Sequence, residues 1–189
     1  MHTSKPLTAI DLFAGAGGAS EGLRAAGYSV LAAVECDLES AMTYAANHTG
    51  LIVDRDICAV EPVAIYEALL HRGELSSPLS LLNACPPCQG YSSRGRRREE
   101  DPRNDLVLEV PKWVDIFRPA TVVVENVPGL LDDSRIVQLK DNLGQLDYGL
   151  REYIADATNF GVPQRRKRLI LLAVRGSTAK ELPDSLEAA

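Results

Sequence analysis

The sequence predicts an α/β protein with a mostly parallel sheet and an antiparallel hairpin at one edge. Three observations support this fold class. Short apolar runs alternate with amphipathic segments along most of the 189 residues, which is the pattern of βαβ units. The first run ends in a glycine-rich turn, as strands that lead into ligand-binding loops do. The last two runs have no helical segment between them, so they predict an antiparallel pair.

Each element follows from the pattern of apolar residues. Apolar runs predict strands over residues 7–13, 30–34, 51–57, 79–83 and 121–125. Helical periodicity predicts helices over residues 20–26, 41–48, 61–70, 106–117 and 136–146. The fourth helix is expected to be interrupted or kinked at Pro111, because proline lacks a backbone N–H. Residues 150–157 and 169–174 predict the closing hairpin.

The composition is that of one globular domain. The chain is 46% apolar and 24% charged, with a net charge of -6, and such values exclude a wholly disordered chain. No apolar run approaches the roughly 18 residues of a membrane-spanning helix, and the first residues lack a signal-peptide pattern. Four cysteines are too few for a disulfide framework, and no histidine stands at zinc-ligand spacing from them. We therefore expect a cytoplasmic protein with no membrane segment and no metal.

A glycine-rich turn follows the first predicted strand. It contains Gly15, Gly17 and Gly18, and glycine allows both a sharp turn and the close approach of a ligand. Glu35 ends the second predicted strand and Asp56 lies near the end of the third, where carboxylates can accept hydrogen bonds from a nucleoside. The glycines alone predict a tight turn. Together with the carboxylates they predict an adenosine-type ligand, and the incomplete G-x-G-x-x-G spacing favours S-adenosylmethionine over a dinucleotide.

The segment Cys85-Pro-Pro-Cys88 follows the fourth predicted strand. Its prolines make the turn rigid and fix the direction of Cys88. Three interpretations apply: a buried structural cysteine, a catalytic nucleophile, or half of a thioredoxin-type redox pair. The redox pair is disfavoured because C-x-x-C opens a helix in such proteins, whereas Gln89, Gly90 and a charged loop follow here.

Two further charged groups stand at the ends of predicted strands. Glu125 ends a buried strand and is either an acid beside the Cys88 nucleophile or the N-cap of the next helix. The basic run 164–168 opens the last predicted strand and is either a solvated surface or part of the same site. Because alternate residues of a strand face the same way, Arg166 and Arg168 are expected to point to one side.

In these motifs the sequence resembles the DNA (cytosine-5) methyltransferases. D-L-F-A-G-A-G-G is similar to the first motif of that family, P-P-C-Q-G-Y-S to its catalytic-cysteine motif, E-N-V to its glutamate motif and G-V-P-Q-R-R-K-R to its arginine motif. Glu35 and Asp56 match the acidic residues of its second and third motifs, and D-P-R-N-D-L resembles the next cofactor-side motif. The motifs occur in the family's order over about residues 8–175. The resemblance implies the Rossmann-like fold of the S-adenosylmethionine-dependent methyltransferases.

The resemblance also implies how residues divide between catalysis, cofactor and DNA. Cys88 would add to C6 of a flipped-out cytosine, Glu125 would bind the base, and Arg166 and Arg168 would position and polarise it. The residues implied to bind S-adenosylmethionine are Phe13, Gly15, Gly17, Gly18, Glu35, Asp56, Ile57, Pro86 and Leu106. The residues implied to contact double-stranded DNA are Gln89, Ser92, Arg94, Arg96, Arg97, Arg98, Gln164 and Arg165.

The sequence departs from the family pattern after the arginine motif. The family continues into a target-recognition region, a further motif and a closing helix, whereas 15 residues follow Val174 here. We therefore expect an incomplete methyltransferase catalytic domain over residues 1–176 and a polar tail over residues 177–189. The chain is expected to be one subunit of a split enzyme or a truncated piece of one, with a second polypeptide that supplies target recognition and the closing helix. The alternatives are a non-catalytic cofactor-binding remnant and the redox protein.

Overall fold

The computed structural model of the chain describes residues 6–75, 78–87 and 101–186. The chain divides into two compact units. The first unit comprises residues 1–84 and 112–120, and the second unit comprises residues 85–111 and 121–189. Each unit has its own strands, and each holds part of the predicted site residues.

Parallel strands form the centre of the first unit. These strands are β1 (Leu7–Leu12), β2 (Tyr28–Glu35), β3 (Leu51–Asp54) and β4 (Leu81–Ala84). β1 pairs in parallel with β2 and β4, and β2 pairs in parallel with β3. The helices that follow the first three strands are α1 (Gly18–Ala25), α2 (Leu38–Asn47) and α3 (Pro62–His71). β1 is buried from Thr8 to Leu12, as expected of a strand with a parallel neighbour on each side.

The second unit is built on antiparallel pairing. Its strands are β5 (Thr121–Asn126), β6 (Tyr148–Asp156) and β7 (Lys167–Arg175). β7 pairs antiparallel with both β5 and β6. Leu169, Leu171 and Ala173 of β7 are buried, and they alternate with more exposed residues, so one face of the strand packs into the core. Helix α5 (Ser134–Gln145) adds buried leucines at positions 139 and 143.

These elements confirm the predicted α/β class with an antiparallel hairpin, and two local expectations are corrected. The expected helix 106–117 is a 3-10 helix, Pro102–Glu109, followed by α4 (Val110–Phe117). The interruption expected near Pro111 is the change from 3-10 helix to α4 at Val110. Pro111 is the second residue of α4, where a backbone N–H has no partner within the helix. The third strand ends at Asp54, and Ile57–Ala59 form a 3-10 turn instead of strand.

The end of the described chain packs against β6. The Tyr153 hydroxyl donates a hydrogen bond of 2.6 Å to the Pro183 carbonyl, and Arg151 donates to the same carbonyl and to Asp184. Leu182 is buried beside them. The domain boundary at residue 176 stays a prediction. No helix in the described part of the chain is long and apolar enough to cross a membrane, and the same residues contain no cluster of three or more metal-ligating side chains.

Candidate active site

The turn after β1, residues 13–17, is called the glycine loop. Three of its residues have left-handed backbone, with φ of 60° at Phe13, 54° at Gly15 and 97° at Gly17. A Cβ atom at Gly17 would lie 2.2 Å from His48 Nε2, so both the backbone and the space require glycine there. A Cβ at Gly15 would have no heavy atom within 4 Å. The loop therefore leaves open space at Gly15, where a ligand can approach the backbone.

Glu35 at the end of β2 holds the glycine loop from one side. Its Oε2 accepts a hydrogen bond of 2.7 Å from the Gly15 N–H, and its Oε1 accepts one of 2.8 Å from the Asp37 N–H. A carboxylate has about four acceptor sites. Each oxygen therefore retains a site for the hydroxyl group of a bound ribose.

A buried carboxyl group, Asp11, lies beneath the same loop. Asp11 has no solvent exposure, and it accepts hydrogen bonds from Ser20 Oγ at 2.7 Å and Asn83 Nδ2 at 2.8 Å. Ser20 Oγ is also 3.0 Å from the Tyr44 hydroxyl, and the Tyr44 ring packs on His48 with centroids 4.5 Å apart. Burial raises the pKa of Asp11, against the opposing effect of the two hydrogen bonds. The network joins β1, α1, α2 and β4.

Sequence analysis did not assign a role to Asp11, Ser20 or Tyr44. The available signal was a carboxylate inside an otherwise apolar strand, since a buried charge needs polar partners. The two hydrogen-bond partners of Asp11, Ser20 and Asn83, lie 9 and 72 positions along the chain. Tyr44, which bonds to Ser20, lies 24 positions beyond it. No local pattern connects residues at such separations.

The other predicted cofactor residues of the first unit lie at the ends of β1 and β3. β2 and β3 pair with Glu35 opposite Asp54, so their carboxyl ends are neighbours. Asp56 is exposed, and its Oδ1 accepts a hydrogen bond of 2.9 Å from the Cys58 N–H. Ile57 is buried, whereas Phe13 is half-buried. Gly18 has neither a left-handed φ nor a close neighbour, so its backbone does not demand glycine.

An ion pair joins Glu125 to Arg168 in the second unit. Arg168 Nε lies 2.7 Å from Glu125 Oε1, and the side chains are 23% and 30% exposed respectively. The pair is held by the antiparallel ladder, in which Asn126 of β5 is opposite Leu169 of β7. Arg168 also donates to the Lys167 carbonyl at 2.8 Å. The structure thus brings one predicted arginine to the predicted glutamate.

Arg166 lies outside the strand that holds Arg168. β7 begins at Lys167, so the alternation of a strand does not extend to Arg166. The Arg166 side chain is exposed, as are those of Gln164 and Arg165. Its backbone is nevertheless fixed, because its N–H donates to Asp156 Oδ1 at 3.3 Å and its carbonyl accepts from the Ala157 N–H at 3.0 Å.

Asn126 connects the end of β5 to the segment that precedes Cys88. Asn126 is 3% exposed. Its Nδ2 donates to the Pro86 carbonyl at 3.2 Å, and its Oδ1 accepts from the Val127 N–H at 2.8 Å. Both ends of the amide are therefore used, and Pro86 is fixed to the strand that carries Glu125. Sequence analysis read this asparagine only as part of a motif.

Two of the remaining predicted site residues, Pro86 and Leu106, lie in the described part of the chain. Pro86 is buried, and Leu106 is half-buried on the 3-10 helix Pro102–Glu109. Seven predicted residues lie outside the described residues and keep their roles as predictions: Cys88, Gln89, Ser92, Arg94, Arg96, Arg97 and Arg98.

Comparison with known proteins gives a consistent family. The model of the C-5 cytosine-specific DNA methylases matches residues 7–188. Type II methyltransferase M.AgeI of Thalassovita gelatinovora is 39% identical over 86% of this chain and 38% of its own length. M.DdeI of Desulfomicrobium norvegicum is 33% identical over 88% of this chain and 40% of its own length. The chain thus spans about two fifths of these relatives. It spans 75% of M.AquIA of Picosynechococcus sp., which is 33% identical.

Solved structures agree with this result. A protein described as a DNA modification methyltransferase encoded within an E. coli prophage superposes with a TM-score of 0.76 and 29% identity. The match covers 95% of this chain and 49% of that one. DNMT2 of Spodoptera frugiperda, with a TM-score of 0.74 and 20% identity, shares the fold. These matches, together with the family model, show that the chain belongs to the C-5 cytosine-specific DNA methylases, whose members use S-adenosylmethionine as methyl donor.

Proposed function

We propose that the chain transfers a methyl group from S-adenosylmethionine to carbon 5 of cytosine in double-stranded DNA, with Cys88 as covalent nucleophile. One observation carries the proposal. The end of β5 holds the Glu125–Arg168 ion pair and, at the next residue, the Asn126 amide that fixes Pro86 two positions before Cys88. Such a reaction needs an acid, a positioned cation and a nucleophile. In our proposal Glu125 is the acid, Arg168 is the cation, and Pro86 belongs to the segment that leads to the Cys88 nucleophile.

The first unit offers a site that fits the methyl donor. The open space at Gly15 admits a ligand, and Glu35 keeps acceptor sites for ribose hydroxyls. We place the adenosine part of S-adenosylmethionine among Phe13, Glu35, Asp56 and Ile57, with Gly15, Gly17 and Gly18 at the loop. Pro86 and Leu106 stay predicted cofactor-binding residues. When bound, S-adenosylmethionine supplies an electrophilic methyl group.

The chain itself must make cytosine reactive, because C5 of cytosine is a poor nucleophile. In our proposal the Cys88 thiolate forms a bond to C6, which places electron density on C5. Glu125 binds N3 and the exocyclic amine, while Arg166 and Arg168 stabilise the charge that develops on the base. C5 then bonds to the methyl carbon as the bond from that carbon to the donor's sulfur breaks. A water molecule takes the C5 proton, the C5–C6 double bond forms again, and the S–C6 bond breaks, which restores the aromatic ring and releases Cys88 as thiolate.

The base must leave the DNA stack before Cys88 can reach C6. We assign contacts with the duplex to Gln89, Ser92, Gln164, Arg165 and the arginines at 94, 96, 97 and 98. This concentrates positive charge at the site although the net charge of the chain is -6. We propose that a second polypeptide supplies target recognition.

The test compares two cysteines three positions apart. Duplex DNA, radiolabelled S-adenosylmethionine and the chain are combined with a polypeptide that carries a target-recognition region. Cys88→Ala is expected to abolish incorporation of label, whereas the matched control Cys85→Ala retains it. Equal labelling by both variants contradicts the proposed nucleophile. Calorimetric binding of S-adenosylmethionine without transfer in any combination favours the non-catalytic remnant instead.

A further inference from the structure

We propose that Asp156 is a positioning residue that fixes the backbone of Arg166 for its contact with the target base. The residues between β6 and β7, 157–166, are called the arginine loop. The inference rests on the proposed function, because it presumes that Arg166 contacts the base. It assigns a role to a carboxylate that neither sequence analysis nor the proposed mechanism uses.

One carboxylate oxygen of Asp156 accepts hydrogen bonds from residues at both ends of the arginine loop. Asp156 Oδ1 accepts from the Thr158 N–H at 3.2 Å, from Thr158 Oγ1 at 3.0 Å and from the Arg166 N–H at 3.3 Å. The Ala157 N–H donates to the Arg166 carbonyl at 3.0 Å. The Arg166 N–H is therefore bonded to Asp156, the last residue of β6, and the Arg166 carbonyl is bonded to Ala157, the residue that follows it.

The hydrogen bond from the Arg166 N–H to Asp156 Oδ1 takes the place of a backbone hydrogen bond between β6 and β7. The ladder between β6 and β7 ends at the pair Asp156 and Lys167, so Arg166 is one residue beyond it. Without the carboxylate, the Arg166 N–H would lose this acceptor, and the hydrogen bond from the Ala157 N–H to the Arg166 carbonyl would remain. The hydrogen bonds, that from the Thr158 N–H first, lower the pKa of Asp156, so the accepting form is present at neutral pH.

A fixed backbone matters because Arg166 has an exposed side chain. An arginine on a mobile loop must lose backbone and side-chain freedom when it binds a base, whereas one on a fixed backbone loses side-chain freedom alone. Arg168 needs no such device, since Glu125 holds its guanidinium directly. The two arginines are thus ordered by different carboxylates, one through the side chain and one through the backbone.

The first arm of the test measures amide hydrogen exchange in the full chain. Asp156→Ala is expected to speed exchange of the Arg166 amide about tenfold, while the amides of β7 from Leu169 onward stay protected. Asp156→Asn, which keeps the acceptor oxygen, should restore most of the protection. The matched control is Glu181→Ala, because Glu181 accepts from the N–H and hydroxyl of Thr178 in the same way but away from the arginine loop. Unchanged Arg166 exchange in Asp156→Ala overturns the inference.

The second arm is a double-mutant cycle in single-turnover methyl transfer. Asp156→Ala is expected to slow transfer about tenfold in the wild-type background and to have no further effect when Arg166 is already alanine. Equal slowing in both backgrounds shows a merely structural role and overturns the inference. An Arg166→Ala variant with full activity overturns the proposed function of Arg166 itself, and the Arg166 exchange data separate that result from a failure of the contact.

Discussion

The glycine loop of the first unit and the arginine loop of the second unit fix their functional groups by opposite means. Beneath the glycine loop, Asp11 has no exposure and is bonded to uncharged donors. At the end of β5, Glu125 is 30% exposed and is paired with the Arg168 cation of β7. The proposed cofactor side therefore depends on packing and backbone geometry, whereas the proposed base side depends on charge. Substitutions in the first region should cost stability, and those in the second should cost activity.

The largest effect on stability is expected at Gly17. Gly17→Ala places a side chain on a backbone with φ of 97° and displaces the His48 ring, so we expect a loss of about 3 kcal/mol of unfolding free energy. Urea unfolding measures it. The matched control is Gly18→Ala, because Gly18 opens α1 and a Cβ there meets nothing within 4 Å. Similar losses of unfolding free energy in Gly17→Ala and Gly18→Ala would show that close packing at Gly17 does not stabilise the glycine loop.

A smaller loss is expected at Asn126. Asn126→Ala removes the donor to the buried Pro86 carbonyl and the acceptor for the Val127 N–H, which should cost about 2 kcal/mol. Asn126→Asp keeps the acceptor but buries a carboxylate against the Pro86 carbonyl, so it should lose at least as much. The exposed Asn47, whose amide donates within α2, supplies the control Asn47→Ala. If Asn126→Ala unfolds at the wild-type urea concentration, the contact to Pro86 does not stabilise the segment before Cys88.

Glu125→Gln tests the charge side of the comparison. The Glu125–Arg168 pair is partly solvated, so its loss should change the unfolding free energy by less than about 1 kcal/mol. Methyl transfer should fall far more, because the base loses its acidic partner. Glu21→Gln, which breaks the exposed ion pair with Arg24, is the control and should leave transfer intact. A large loss of unfolding free energy in Glu125→Gln with methyl transfer retained would show that the ion pair serves stability and not activity.

The pH dependence of stability should reveal Asp11. Burial raises its pKa in the folded protein above the ordinary value of 3.8, so the folded state holds this proton more tightly than the unfolded state. Its contribution to stability is present below pH 3.8 and is lost as pH rises through the raised pKa. Compared with Asp11→Asn, the wild type should therefore gain unfolding free energy as pH falls toward 4. A constant difference between the two proteins across this range would show that Asp11 does not titrate abnormally.

The sequence predicted what local patterns control. Alternating apolar segments identified the strands, because apolar periodicity follows the period of the element. The glycines and Glu35 predicted that the turn after β1 and the end of β2 lie together, as the hydrogen bond between Gly15 and Glu35 confirms. The contacts of Asn126 with Pro86 and of Asp11 with Asn83 were not predictable, since they join residues 40 and 72 positions apart. The expectation that Arg166 and Arg168 share one side stays a prediction, because β7 begins at Lys167 and Arg166 precedes it by one residue.

In the proposed mechanism, Cys88 bonds to the target cytosine. The direct measurement is mass mapping of the chain after incubation with a polypeptide that carries a target-recognition region, S-adenosylmethionine and duplex DNA in which the target cytosine carries fluorine at C5. Fluorine cannot leave as a cation, so the S–C6 bond should persist. We predict that a nucleotide adduct remains on the peptide that contains Cys88 and that it is absent in Cys88→Ala. Methylation of ordinary DNA by Cys88→Ala at the wild-type rate, with no adduct on the wild-type peptide, would contradict the account.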